Sequence, residues 1–329
     1  MRAHAPSPFL LGSSPSNYGT DPALAPAAPA ESPLAIITCH FNWAGYSRPR
    51  QNLRRFLREM DSAGIPVYGV EIVLPDQAPL LSGNPRWKVL EADPRKHVLW
   101  QKEAVLNVAA SLVPATVPFI AAVDADVRFA RHDWAALSVE ALEQVPAIQP
   151  FGEAVWTDRD GLVELRRSSA ARRGLPTDWS AHPGFAWAFR REFWSAGPGL
   201  YPWCITGSGD VALAAGLMGL DVASLPTGGP LGIGAKNLAN GVALDWLRAA
   251  REWMGDCAPG WIEGQLWHEW HGCRTDRRYL ERHRLMERVD VRRHLRLDGD
   301  GLVAWTSRAT EAMRRISEEH FRDRKEDGR

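Results

Sequence analysis

Two carboxylates, Asp124 and Asp126, stand one residue apart directly after the apolar run Phe119-Ile-Ala-Ala-Val123. An apolar run without alternation reads as a short strand buried on both faces. Two like charges at the rim of a core repel each other and resist desolvation unless a cation or hydrogen-bond donors compensate. On extended backbone, positions i and i+2 project to the same side. The pair is therefore placed to offer oxygens to a hard divalent cation and to a sugar hydroxyl at once. The plainer reading is a strand-end turn with two solvated aspartates, and the tripeptide alone does not separate the two.

Other residues of chemical interest lie far along the chain. Asp210 follows Thr206-Gly-Ser-Gly209 and precedes an apolar helix from Val211 to Met218, closed by Gly219. A carboxylate there is favoured by exposed amides and the helix dipole, so capping alone accounts for it. His268 and His271 stand three apart on a turn or helix, where both can face one ligand. A zinc site built from them with Cys273 and a distant cysteine is disfavoured, because no second clustered pair exists. From Arg274 to Arg296 there are nine arginines and four acidic residues, with Tyr279, Leu280, His283 and Met286 at helical spacing. That pattern reads as a solvated, salt-bridged helical face. The sharper reading is that Arg274, Arg277 or Arg278 reaches a phosphate.

The elements that must position these residues alternate. Leu34–Thr38 is strand-like and leads into the polar, aromatic loop Cys39-His-Phe-Asn42-Trp43-Ala-Gly-Tyr46. A helix follows from about Arg50 to Ala63, with Leu53, Phe56, Leu57 and Met60 on one face and Gly64 ending it. Strands are expected at Ile65–Leu74, Lys88–Leu90 and 119–123, with a helix at Trp100–Leu112. Asp133 is placed to cap a helix carrying Trp134, Leu137 and Ala141. Ala147–Trp156 is a strand-like run broken by Pro150 and Gly152. Strand, helix, strand is the signature of a parallel α/β sheet. In such sheets ligands sit outside the carboxyl ends of the strands, where Asn42, Trp43 and both aspartates fall. The second half is less regular: a loop entering a strand at His182–Phe189, a helix at Val242–Met254, and an amphipathic helix from about Thr306 to Phe321 before a charged tail.

Composition bounds the protein class. The 329 residues are 45% hydrophobic and 24% charged, and the formal net charge of +0 exerts no bulk pull toward nucleic acid or membrane. Cys39, Cys204, Cys257 and Cys273 form no CxxC pair and read as reduced thiols. No apolar run reaches the length of a membrane span, and the N-terminus has no apolar signal-peptide core. A soluble, cytoplasmic protein is expected. Residues 1–33, rich in Pro, Ala and Ser, read as a disordered tail, 34–300 as one catalytic domain, and 301–329 as a C-terminal helix and charged tail. The 15 Trp nudge toward carbohydrate or base stacking, although most Trp are core.

Five segments in order resemble the GT-A-type nucleotide-sugar glycosyltransferases, close to family-2-like enzymes and the galactosyltransferase group. Phe41–Tyr46 resembles the nucleotide-contacting first loop, and Trp100–Asn107 the helix with a basic residue and an Asn ahead of the metal motif. Asp124-Ala-Asp126 looks like the DxD motif, Gly207-Ser-Gly-Asp210 the acidic acceptor-side motif, and His268–Gly272 the segment with the C-terminal metal-binding His. The resemblance covers roughly residues 34 to 285, and the order of the motifs carries it.

The resemblance implies a GT-A-like, Rossmann-like α/β fold with a mixed, mainly parallel sheet. It implies transfer of a sugar from a nucleotide-diphosphate sugar, UDP-sugar favoured, to a carbohydrate or other acceptor hydroxyl; a nucleic-acid acceptor also stays open. Asp126 becomes the direct metal ligand, with Asp124 on ribose or donor-sugar hydroxyls. His271, or else His268, is the distant ligand that closes the site. Mn2+ suits carboxylate plus imidazole better than Mg2+. Asn42, Trp43, Lys102 and Arg274 fall to the nucleotide or its phosphates. Asp210 becomes the base of an inverting reaction, though Ser-Gly-Asp stands where relatives often show Glu-Asp, so a second acid is missing from the motif. Residues near 228–241 are expected to form a lid, and His182, Trp187 and Tyr201 to line the sugar or acceptor pocket. The rival readings are a sugar-nucleotide nucleotidyltransferase and a non-catalytic carbohydrate- or nucleic-acid-binding module.

Overall fold

The computed structural model describes residues 32–175, 180–221, 240–277 and 282–328. Its backbone is a parallel α/β sheet built from the expected alternation. Strand β1 (Leu34–Phe41) pairs in parallel with β2 (Val67–Val73) on one side and β4 (Phe119–Val123) on the other, and β2 pairs in parallel with β3 (Trp87–Glu91). Beyond β4 the sheet turns mixed. β10 (Ala186–Arg190) runs antiparallel to both β4 and β6 (Ala147–Gln149), and β11 (Gly260–Trp261) lies parallel to β6. The sheet is thus mixed, mainly parallel and flanked by helices, as expected.

Side-chain alternation in β1 divides the core. Ala35 and Ile37 face the layer containing α2 (Lys102–Leu112), α6 (Gly209–Met218) and α7 (Gly241–Met254). Leu34 and Ile36 face α1 (Ser47–Ser62) and α3 (Trp134–Gln144). Leu53, Phe56, Leu57 and Met60 of α1 are all buried, each contributing roughly 2 kcal/mol of transfer free energy. Gly69 of β2 faces Trp87 of β3 in the ladder. A Cβ there would stand 2.6 Å from the indole ring, so the register of this edge depends on a residue without a side chain.

A second sheet crosses the carboxyl end of the first, in the order β5 (Val127–Phe129), β12 (Gln265–His268), β7 (Glu153–Thr157), β8 (Val163–Ser169), β9 (Ala181–His182). The strand-like run 147–156 is therefore two strands in different sheets, parted at Pro150-Phe-Gly152. A small helix, α4 (Ala170–Arg173), joins β8 to β9, and another, α5 (Glu192–Ser195), follows β10 of the first sheet.

Two local expectations are corrected. Asp133 precedes α3 but makes no capping bond, because its carboxylate is taken by Arg131 at 2.6 and 2.8 Å. The arginine-rich stretch is not one helix: 3-10 turns span Arg274–Arg277 and Arg282–Arg288. A short α8 (Val291–His294) leads into a hairpin of β13 (Leu295–Leu297) and β14 (Val303–Trp305). His268 and His271 stand on the end of a strand and the loop after it, not on a helix. The terminal helix α9 (Glu311–Arg322) forms as expected, capped by Thr310, whose hydroxyl accepts from Met313 N at 3.3 Å. No helix among the described residues is long and apolar enough to cross a membrane.

Candidate functional site

The carboxyl ends of β1 and β4 open onto a cleft. Asn42, Trp43, Lys102, Asp124, Asp126 and His271 all line it, so six of the residues singled out from the sequence meet in one place. The first loop is held rigidly. The Asn42 amide donates to Tyr46 O at 2.6 Å and accepts from Tyr46 N at 2.9 Å, closing the turn. The Trp43 indole donates to Leu99 O at 2.9 Å, and its ring meets Phe41 and Phe321. Both side chains thus shape the wall while their polar groups are spent inside the protein.

The two aspartates are not presented side by side on a strand. β4 ends at Val123, and Asp124 through Asp126 form a turn that carries the chain from the first sheet into β5 of the second. The physical reason is the pairing of β5 with β12, which pulls Val127 onward away from the β4 direction. The turn separates the carboxylates. Asp124 forms an ion pair with Lys102 at the start of α2. Burial works against the lysine charge, but Asp124, Glu103 and Asp210 outweigh it and hold its pKa above the ordinary value. Asp124 itself is pushed up, first by burial and then by Asp126, against the pull of Lys102.

Asp126 turns the other way, toward the imidazoles. Its Oδ2 lies 2.8 Å from His271 Nε2 and 3.7 Å from His268 Nε2. One ligand atom from each of Asp126, His268 and His271 falls within 4.8 Å of the others. His268 and His271 are buried, and a main-chain bond from Glu269 N to Asp126 O, 2.7 Å long, ties their strand to the aspartate turn. The donor set fits a divalent cation: ligand atoms around a metal bound at ~2.1 Å stand roughly 3–4 Å apart, so small side-chain adjustments suffice. Cys273 is exposed and stands outside this trio, which disposes of the His-His-Cys alternative.

A smaller pocket shares Lys102 and Leu106 with the cleft and contains Asp210. Asp210 sits in the first turn of α6, where its Oδ1 accepts from Val211 N at 3.0 Å. The chain enters this helix through Ser208 in a left-handed conformation, φ 75°. Gly184 backs the carboxylate so closely that a Cβ there would stand 2.5 Å from Asp210 Oδ2. Trp187 lines the same pocket and donates from its indole to Pro183 O at 2.7 Å. His182 packs instead against Phe185 and Trp156, and Tyr201 is buried beside Trp246.

A second acidic side chain lining the Asp210 pocket comes from another helix. Glu103, only 5% exposed, reaches from α2 into the space beside Gly209, where a Cβ would collide with its carboxyl group. Burial pushes Glu103 up to about 7, with Lys102 opposing and Asp210 adding to the rise. Its Oε2 is buried without a hydrogen-bond partner among the described residues. Sequence reasoning passed over it because an acidic residue in a first helical turn is ordinary. The signal was its phase: Glu103 shares a helix face with buried Leu106 and Ala110.

The C-terminal segment was also passed over. Phe321, Arg324 and Glu326 line the cleft. Glu326 Oε1 lies 3.4 Å from His271 Nδ1 and 2.6 Å from Arg324 Nη2. Burial raises the Glu326 pKa, but Arg324 and His271 overcome that and leave it far below the usual carboxylate range. Arg274 begins the 3-10 turn that follows the histidine segment; its side chain lies outside the described structure, as do residues 222–239, which hold most of the expected lid.

No protein-family model matches the chain, and no curated protein matches it. Among solved structures it is similar to the catalytic domain of Drosophila β1,4-galactosyltransferase 7 in complex with xylobiose: 14% identity, TM-score 0.32, 57% of this chain covered. The chain spans 62% of the length of that galactosyltransferase chain. It is also similar to a 4-diphosphocytidyl-2C-methyl-D-erythritol synthase from Anaerococcus prevotii, with 10% identity and TM-score 0.33 over 70% of this chain and 86% of that one. A third is a glycosyltransferase involved in glycosylation of the major capsid of PBCV-1, with 12% identity and TM-score 0.29 over 78% of this chain and 99% of that one.

Proposed function

We propose that the chain is a metal-dependent glycosyltransferase that moves a sugar from a nucleotide-diphosphate sugar, UDP-sugar favoured, to an acceptor hydroxyl with inversion. The observation that carries this reading is the convergence of Asp126, His268 and His271 within 4.8 Å beside a cleft at the strand ends, with Asp210 in a pocket joined to it through Lys102. Asp126, His268 and His271 would hold Mn2+ (or Mg2+), which when bound neutralises charge growing on the diphosphate leaving group.

The protein's own groups supply the rest. The loop at Asn42 and Trp43 forms one wall for the nucleotide, and Lys102 stands between the phosphate side and the acceptor side. Asp124, drawn off the metal by Lys102, is left for ribose or donor-sugar hydroxyls. Asp210 takes the proton from the acceptor hydroxyl as its oxygen attacks the anomeric carbon. The carbon–oxygen bond to the diphosphate breaks as the new glycosidic bond forms. A single displacement with Asp210 as the base and no enzyme nucleophile gives inversion.

The test is a thermal-shift panel of nucleotide sugars with Mn2+ on the wild type and on Asp126→Ala, joined to an assay of nucleotide release. A donor-specific rise in Tm lost in the variant, with Mn2+-dependent nucleotide release, is the expected result. No shift with any nucleotide sugar and no release would sink the enzyme reading. Pyrophosphate release from a nucleoside triphosphate plus sugar phosphate would point instead to nucleotidyl transfer.

A further inference from the structure

The C-terminal segment has no part in the function derived so far, yet it packs against the proposed donor site. It is tied down at both of its ends. Asp327 accepts from Ser47 N and Arg48 N at 2.9 and 2.8 Å, the first amides of α1. Tyr46 OH donates to Arg322 O and accepts from Lys325 N at 3.0 Å. Phe321 stacks on Trp100 with the rings 5° from parallel. The segment is thereby fixed to the same loop, at Tyr46, that frames the cleft.

Arg324 is the unusual member. It is 6% exposed, lines the cleft, and lies with its guanidinium 5.1 Å over the Trp100 ring. Nε and Nη2 both serve Glu326, at 2.7 and 2.6 Å. Nη1 is buried with no hydrogen-bond partner among the described residues. A buried guanidinium N–H without an acceptor is costly, and the cost makes sense where an acceptor arrives with a ligand. The other cation of the cleft, Lys102, is already committed to Asp124. A diphosphate entering beside Asp126 would otherwise meet carboxylates.

We propose that Arg324, anchored by Glu326, is a binding residue for the diphosphate of the donor. This rests on the donor-site reading above. A fork of N–H donors with one branch anchored and one branch free suits a phosphate oxygen better than a lysine would. Glu326 also lies 3.4 Å from His271 Nδ1, a contact that substitution at Arg324 leaves in place.

The experiment titrates full-length wild type, Arg324→Gln and Arg324→Lys with UDP, GDP and ADP in Mn2+, and with the matching nucleosides, following tryptophan fluorescence. Mn2+ binding without nucleotide is measured in parallel by electron paramagnetic resonance. The expected result is a loss of about 10- to 100-fold in nucleoside-diphosphate affinity for Arg324→Gln, a smaller loss for Arg324→Lys, and unchanged nucleoside affinity. Mn2+ affinity should stay close to wild type in both variants. Unchanged diphosphate affinity in the Gln variant, or equal weakening of nucleoside and nucleoside diphosphate, overturns the assignment of Arg324 alone. A wild type that binds none of the three diphosphates overturns the donor-site reading together with it. Should Arg324→Gln not fold, Arg324→Lys decides: wild-type diphosphate affinity in a variant without the fork overturns the proposal.

Discussion

His271 Nε2 lies 2.8 Å from Asp126 Oδ2, although the two residues belong to the loops after β12 and β4 respectively. The contact exists because β12 pairs with β5, the strand that Asp126 leads into, so the ladder that fixes His268 opposite Val127 also delivers His271 to the carboxylate. A site built on a ladder is positioned before any cation arrives.

That placement predicts Mn2+ binding that depends on all three residues and most on Asp126, the residue both imidazoles face. Asp126→Ala should abolish binding measured by free-Mn2+ electron paramagnetic resonance. His271→Ala and His268→Ala should each weaken it by at least about tenfold, the scale seen even for lost outer partners of metal ligands. For wild type, saturating Mn2+ should raise Tm, since ligand at 100 times Kd stabilises by ~2.7 kcal/mol. Excess chelator should reverse the rise. An Asp126→Ala protein that keeps the full shift would place the metal elsewhere.

Asp210 should matter to transfer and not to the donor. Asp210→Asn keeps shape and the bond to Val211 N but lacks a base, so turnover should fall by roughly 10²–10⁴ while Mn2+ and nucleotide affinities hold. Gly184→Ala makes a complementary prediction. Its Cβ would stand 2.5 Å from Asp210 Oδ2, so the carboxylate must move and turnover should drop with metal binding intact. A Gly184→Ala enzyme with wild-type turnover would show that Asp210 position is not limiting.

The parts of this site that were legible in the sequence follow one physical rule. Loops after parallel strands gather at one sheet edge, so Asn42, Trp43, Asp124 and Asp126 could be placed together from periodicity alone, and the family resemblance added Asp210 and the two histidines. What stayed hidden depends on pairing between distant segments. The split of Asp124 from Asp126 comes from β5 joining β12, which no local pattern around Asp126 announces. Glu103 was hidden because its meaning lies in the empty side-chain position of Gly209. The C-terminal residues were hidden by composition: a run of charges reads as solvated, whereas Arg324 and Glu326 are buried against each other and Arg324 lies over Trp100.

The Lys102–Asp124 pair should be energetically coupled. Each side chain is about a quarter exposed, so removing one partner leaves the other charged and poorly solvated. Lys102→Met and Asp124→Asn should each destabilise, and the double variant should lose less than their sum, with a coupling of about 1–3 kcal/mol in denaturant unfolding. Additive effects would mean that the contact contributes no stability. Because Lys102 also opposes the rise of the Glu103 pKa, Lys102→Met should in addition raise the pH at which Glu103 ionises.

Glu103 makes the sharpest pH prediction. Its pKa rises on folding from about 4.5 to about 7, with burial as the largest cause. Between these values the native state holds a proton that the unfolded chain does not, so this residue's contribution to stability declines as pH rises from about 4.5 to about 7. The total is on the order of 3 kcal/mol for a shift of this size. Glu103→Gln keeps the shape and cannot ionise, so its unfolding free energy should lack that slope, and its advantage over wild type should grow with pH and level off above about 7. The same packing explains Gly209. Gly209→Ala drives a Cβ into the Glu103 carboxyl and should cost about 1–3 kcal/mol, most of it recovered by adding Glu103→Ala. If the double variant is no more stable than Gly209→Ala alone, the two residues do not share this space in solution, and the second acid of the Asp210 pocket must be sought on another element.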